Sequence, residues 1–155
     1  MTNLNDIKAM LESCIPKDML ADGLIDTGLL KMGVIDACSA LEINNLVFRE
    51  EPTSDPKKEP SIVIEPELSL SQQRLAGYFC YIIYLEKLKL ALNQDAINFS
   101  TLTFSIKGLE KRAEAVGDQI YITRRYLESE IDRANGSSVI LGVATQFGNG
   151  GDNNG

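Results

Sequence analysis

Apolar residues along this chain recur mostly at helical spacing. Leu4, Ile7, Met10 and Leu11 form a first amphipathic stripe, and Pro16 ends it. A short turn is expected around Asp18 to Asp26. The next stripe is Leu30, Val34, Ala37, Cys38 and Leu41, extended by Leu46, and it predicts a second helix over Thr27 to Val47. Asp26 or Thr27 is its expected N-cap, because a side-chain oxygen there accepts from a free backbone N–H of the first turn.

The third helix has a clear start. Ser69 with Gln72 three residues later has the form of a capping box, and the helix is expected from Leu70 to Leu92. Its middle, Leu75 to Leu85, is apolar on every side. Such a helix is central to a bundle or shared with another subunit. Tyr78, Tyr81 and Tyr84 suit an interface, since each joins an apolar ring to a polar tip. Asn93 to Ser105 is a polar break in which Ile97, Phe99, Leu102 and Phe104 are expected to pin a loop to the bundle. A fourth helix follows over Ile106 to Ala134. Ile106, Leu109, Ala113, Val116, Ile120, Thr123 and Leu127 advance by threes and fours, a heptad seam with one polar member. It is expected to pack antiparallel on the third helix as a long hairpin, and Asn135-Gly136 to stop it.

Two stretches break the pattern. Arg49 to Glu67 holds Pro52, Pro56, Pro60 and Pro66 among charged residues, so neither a helix nor a central strand is expected there. Ser61 to Ile64 is the one short extended segment it allows. The second stretch, Ser137 to Phe147, is β-prone, apolar and uncharged, and Gly148 to Gly155 reads as a flexible tip. The expected fold is therefore all-α: a helical bundle domain over residues 1–134 with the proline-rich connector 49–67 inside it, then an extended C-terminal arm over 135–155. Bare, the arm is an aggregation site. Addition to a neighbouring chain as a strand, a return over the bundle as an irregular arm, and plain disorder are the three fates open to it.

Composition narrows the function. The 155 residues hold 44% apolar and 24% charged residues, a globular balance for one domain. A net charge of -7 opposes general binding to a phosphate backbone. The chain lacks histidine, which removes Ser-His-Asp and Cys-His catalysis and the commonest metal ligand. Neither a phosphate-cradling glycine loop nor a dinucleotide fingerprint is present. Cys14, Cys38 and Cys80 are widely spaced among apolar residues and read as reduced core thiols. Glu110 with Glu114 and Glu128 with Asp132 read as surface charge, and Arg124 and Arg125 as a solvated face. A single Gly150-Gly151-Asp152 lacks the stacked copies of calcium repeats, and Asn135-Gly136-Ser137 carries weight as a glycosylation site only in a secreted chain. The N-terminus has no basic region followed by an apolar run, and the eleven-residue run Leu75 to Leu85 is too short to span a bilayer. A non-enzymatic protein of a cytoplasm-like compartment, with no cofactor, metal or membrane, is expected.

The short N-terminal helical region, proline-rich connector, long hairpin and C-terminal arm together resemble the helical head–tail connector (neck adaptor) proteins of tailed bacteriophages. The stretch Asn98 to Leu109, leading into a long charged helix, is similar to the turn and second hairpin helix of such proteins. The likeness is architectural and spans most of the chain. It implies a structural virion protein at the head–tail interface, assembled in the host cytoplasm as a ring of typically twelve copies. DNA only passes through the acidic lumen, and a downstream neck or tail protein lies below. On this reading Val139, Ile140, Leu141, Val143 and Phe147 dock on the portal protein, and Tyr81 and Tyr84 meet neighbouring subunits. The rival expectation is a small cytoplasmic helical binding module, a chaperone or regulator, whose C-terminal segment engages one protein client.

Overall fold

The computed structural model describes the backbone of residues 1–21, 23–98 and 106–148, and the side chains of that set apart from 18, 95–110 and 137–148. The described part is mostly helical. In chain order it holds β1 (Thr2–Asn3), α1 (Leu4–Cys14), a 3-10 turn (Lys17–Met19), α2 (Thr27–Ala40), β2 (Val47–Glu51), β3 (Ser61–Glu65), α3 (Leu70–Asn98) and α4 (Ile106–Gly148).

α3 is the central element, with α1, α2 and α4 packed around it. That is where a helix apolar on every side belongs. Two glycines let neighbours approach closely. A Cβ at Gly33 of α2 would sit 2.8 Å from the backbone nitrogen of Cys80, and one at Gly77 of α3 would sit 2.8 Å from Cβ of Met10 in α1. The core joins Ile7 and Leu11 of α1, Leu29 and Val34 of α2, and Cys80, Tyr84 and Leu85 of α3. Of the fourth-helix seam, Ala113, Val116, Ile120, Thr123 and Leu127 are buried as expected. Thr123 Oγ1 donates to the Gln119 carbonyl at 2.7 Å, so the polar position is satisfied within its own helix. Ile106 and Leu109 of that seam, and the pinning residues Ile97, Phe99, Leu102 and Phe104, have side chains outside the described residues. So does the turn at 99–105 that a long hairpin requires. The contacts between the two helices fall in opposite chain order: Lys89 lies beside Gly117, Glu86 pairs with Arg124, and the Tyr78 ring lies 4.9 Å from that of Tyr126.

Both helix starts read from sequence are present. Asp26 accepts from the Leu29 N–H at 2.7 Å, and Ser69 and Gln72 exchange the two bonds of a capping box. α3 runs to Asn98, beyond the expected Leu92. α2 is shorter than expected. It stops at Ala40, not Val47, in a Schellman turn: the Ile43 N–H donates to the Cys38 carbonyl at 2.8 Å and the Glu42 N–H to the Ser39 carbonyl at 3.3 Å. The left-handed residue of that turn is Glu42, at φ 55°, where a glycine is usual.

The expectation of an all-α fold is corrected by a three-stranded antiparallel sheet of order β1-β3-β2. β3 is its central strand, inside the segment from which a central strand was excluded. Thr2 pairs with Ile64 on one side, and Val47 to Glu51 pair with Glu65 to Ser61 on the other. The prolines explain how. Pro52 follows β2, Pro60 precedes β3, Pro66 follows it and Pro56 lies in the turn between, so none removes a ladder donor. The sheet closes one end of the core with Val63 and Ile64. Thr2 ties it to α3: its hydroxyl accepts from the Leu68 N–H at 2.9 Å, while Gln73 Nε2 donates to the Leu68 carbonyl at 2.8 Å.

The C-terminal arm is the second correction. Asn135-Gly136 does not end α4, whose backbone stays helical to Gly148. A glycine inside a helix costs only about 1 kcal/mol relative to alanine, which neighbouring turns can absorb. Asn135 acts instead through its side chain, whose Nδ2 donates to the Ala40 carbonyl at 2.8 Å, satisfying one of the free carbonyls at the end of α2. The glycine-rich tip, residues 149–155, lies outside the described residues.

Candidate docking surfaces

The tyrosines assigned to subunit contacts are interior. Tyr81 is 3% exposed and Tyr84 0%. The Tyr84 hydroxyl donates to the Met19 carbonyl at 2.5 Å and accepts from the Ala21 N–H at 2.8 Å. Its polar tip fastens the turn between α1 and α2, and Tyr81 lies in the floor of a groove between α1 and α4 and not on an outer face. The error has a physical origin. A tyrosine that satisfies a buried loop and one that faces a partner have the same periodicity in sequence.

The cysteines are packing residues. Cys80 is fully buried against α2, and burial pushes its thiol up to about 12. Its Sγ points at the Leu30 carbonyl, 3.7 Å away. Burial also raises Cys14 and Cys38 above the usual thiol value. A thiol so shifted is protonated near neutrality and is a poor nucleophile. Among the described residues no group of three or more carboxylates and thiols is gathered to hold a metal ion, and no helix is long and apolar enough to cross a membrane.

What the fold does present is a groove along one flank of α4. Glu130, Tyr126, Ile122, Gln119, Ala115 and Arg112 follow one another down that flank at intervals of three and four. The facing wall is Met10, Ser13 and Cys14 of α1, then Met19, Leu20 and Ala21 of the following turn, and α3 supplies the floor through Tyr78, Tyr81 and Leu88. Three hollows of 420, 350 and 380 Å³ lie along it. From Arg112 to Glu130 the groove is about 27 Å long at 1.5 Å per residue. Ile122 (58% exposed), Tyr126 (45%) and Leu20 (51%) leave apolar surface along it. Desolvation raises the phenol of Tyr78 above its ordinary value, as expected for a ring set into such a floor. Glu130 is held by Arg133 at 3.1 Å. Arg74, at the Glu130 end, and Arg112, at the other, form no ion pair among the described residues.

A second apolar surface lies on α2. Gly28, Met32, Ile35, Asp36 and Ser39 are exposed on one stripe, with Met32 at 55% and Ile35 at 47%. Tyr126, Ile122, Met32 and Ile35 do not stand out in the sequence pattern. The signal for the α2 pair was their place opposite the buried stripe of Leu30, Val34 and Ala37.

The residues assigned to portal docking, Val139, Ile140, Leu141, Val143 and Phe147, lie on the last turns of α4, and their side chains are outside the described residues. Gly148 is about 20 Å further along the helix axis than Asn135 at 1.5 Å per residue. No family model, curated protein or solved structure matches this chain.

Proposed function

We propose that this chain is a neck adaptor of a tailed bacteriophage: a structural subunit that forms a ring, docks on the portal through its C-terminal end and leaves a lumen for DNA. The observation that carries the reading is the course of α4. The helix is tied to the body as far as Asn135 and then runs on for about 20 Å with an uncharged, apolar sequence. An apolar helical end of that length needs a partner to cover it. In the helical register Val139, Ile140, Val143 and Phe147 fall within one sector of about 100°, and Leu141 falls outside it. The docking mode is then helix insertion into a portal groove, not strand addition. α3 and α4, taken as a long antiparallel hairpin, supply the rigid body that holds this end out. The net charge of -7 suits a lumen that must release DNA.

The test compares the full chain with one lacking residues 137–155. Mass photometry of each, alone and mixed with portal rings of the phage that encodes it, gives the copy number bound. The full chain is expected to be a monomer or weak oligomer alone and to load several copies on each portal. The shortened chain should keep its folded body by circular dichroism and lose portal binding. Equal binding by the shortened chain would remove the C-terminal end as the docking element. A full chain that stays monomeric beside the portal would sink the adaptor reading and favour the second one, a helical module whose groove along α4 takes a client helix.

A further inference from the structure

The groove along α4 and the exposed stripe of α2 are separate surfaces with complementary character. The groove is apolar at its centre, through Ile122 and Tyr126; at one end lie Arg74 and a Glu130 held by Arg133, and at the other Arg112, and neither Arg74 nor Arg112 forms an ion pair among the described residues. The α2 stripe is apolar through Met32 and Ile35 and carries Asp36, with Glu42 exposed just beyond the helix. Lys31, the cation of α2, is turned aside over the Phe48 ring, 5.6 Å from its centroid. The stripe therefore offers apolar and acidic groups to a groove whose one carboxylate on the α4 flank, Glu130, is already held by Arg133, and whose ends carry Arg74 and Arg112. The sizes also agree. α2 has 14 residues, about 21 Å at 1.5 Å per residue, against about 27 Å of groove.

The two surfaces cannot meet within one molecule. Tyr78 floors the groove, whereas Cys80 faces Gly33 of α2. Two residues of helix turn the chain by about 200°, so the groove and α2 lie on opposite flanks of α3. Opposite, unlike surfaces on one subunit make a heterologous contact, which closes into a ring or propagates. An isologous pair would instead need one patch to complement itself.

We propose that the exposed stripe of α2 in one copy packs into the α4 groove of the next, Met32 and Ile35 against Ile122 and Tyr126, and that this contact joins subunits side by side. The proposal rests on the ring reading above and names the surfaces that build the ring. It replaces Tyr81 and Tyr84 as the subunit contact.

Disulfide trapping tests it. Ile35→Cys and Ile122→Cys are combined in one full-length chain, with Cys14→Ser to remove the half-buried thiol that lines the groove. Both new thiols replace exposed side chains, so the fold is little disturbed. The chain is loaded on portal rings, oxidised briefly, and run on a denaturing gel without reductant, while the copies per portal are counted separately. The expected result is a ladder of trimers and longer species, with neither single-cysteine chain cross-linking. Copies counted on the portal without a ladder, or dimers from Ile35→Cys alone, would overturn the pairing of these faces and leave the adaptor reading intact. No copies on the portal would overturn both. Ile122→Asp in the native chain gives a second measure: circular dichroism unchanged and copies per portal reduced at least tenfold. An unchanged copy number would also count against the proposal.

Discussion

Replacing Gly33 by alanine tests the contact that sets α2 on α3. In a bare helix the change is favourable by up to about 1 kcal/mol, because glycine loses more backbone freedom on folding. Here the new Cβ would lie 2.2 Å from Sγ of Cys80, 2.8 Å from its nitrogen and 2.9 Å from its Cα, where ordinary contacts begin at 3.4 Å. The side chain of Cys80 can turn, but the backbone of α3 cannot, so α2 must shift outward by several tenths of an ångström. A gap of that size along a packed face forfeits a quarter or more of its dispersion contacts. Overpacking of a core costs about 1–3 kcal/mol, and a stiff backbone obstacle belongs at the upper end. After the helix gain, a net loss of about 2 kcal/mol is expected. For a domain of this size that corresponds to about 4–8 °C in Tm. Gly117→Ala is the matched control on α4. Its Cβ would meet Nζ of Lys89 at 3.4 Å and Cε at 3.8 Å, the end of a flexible chain, so stability should rise by up to about 1 kcal/mol. Urea unfolding followed by circular dichroism reads both. If Gly33→Ala is as stable as the parent, or both variants move in the same direction, the close approach of α2 to α3 is not as described.

Glu42→Gly should stabilise the chain by about 1 kcal/mol, since it relieves an L-residue held at φ 55°; a lower urea midpoint would contradict the Schellman turn at the end of α2. Tyr84→Phe strands the Ala21 N–H and the Met19 carbonyl and should cost about 1–3 kcal/mol, with faster hydrogen exchange at Ala21 as the local signature. Asp26→Ala should cost about 1 kcal/mol by loss of the cap. The Asp26 carboxyl is held below its ordinary 3.8, first by the Leu29 N–H and then by Lys87. Its folded value is therefore the lower one, so its contribution is whole above pH 3.8 and is lost as the pH falls through the folded value. Acid unfolding of the Asp26→Ala chain should lack that component, and identical pH dependence in the two chains would contradict it.

Local chemistry was legible in the sequence, and long-range pairing was not. Asp26, and Ser69 with Gln72, cap helices through atoms two or three residues away, so their roles can be read from short spacings. The stretch Ala113 to Leu127 announces its buried side because periodicity reports one face at a time. β1 is different. It has two residues, and its partner Ile64 is sixty-two positions away, a pairing that only the folded core specifies. The prolines marked the connector correctly as a region without helix, yet their positions between strands mattered more than their number. The end of α2 was missed because Glu42 fills a position where glycine is the usual signal. Asn135-Gly136 misled in the opposite sense: the pair spells a helix stop, but the asparagine reaches across to α2 while the helix continues.

The packing around α3 decides where exposed apolar surface lies. Tyr81 and Tyr84 looked available because α3 is apolar all round, and that same property buries them once α1, α2 and α4 surround it. The middle of α3, Leu75 to Leu85, has no exposed residue, so exposed apolar surface at that level falls to the helices outside it. α2 and α4 are two such helices, and each keeps exposed apolar residues: Met32 and Ile35 on one, Ile122 and Tyr126 on the other. The backbone of α4 continues past Asn135 for about 20 Å beyond the tie to α2. On the reading proposed above, the two side surfaces on opposite flanks serve like neighbours and the end of α4 serves a different partner.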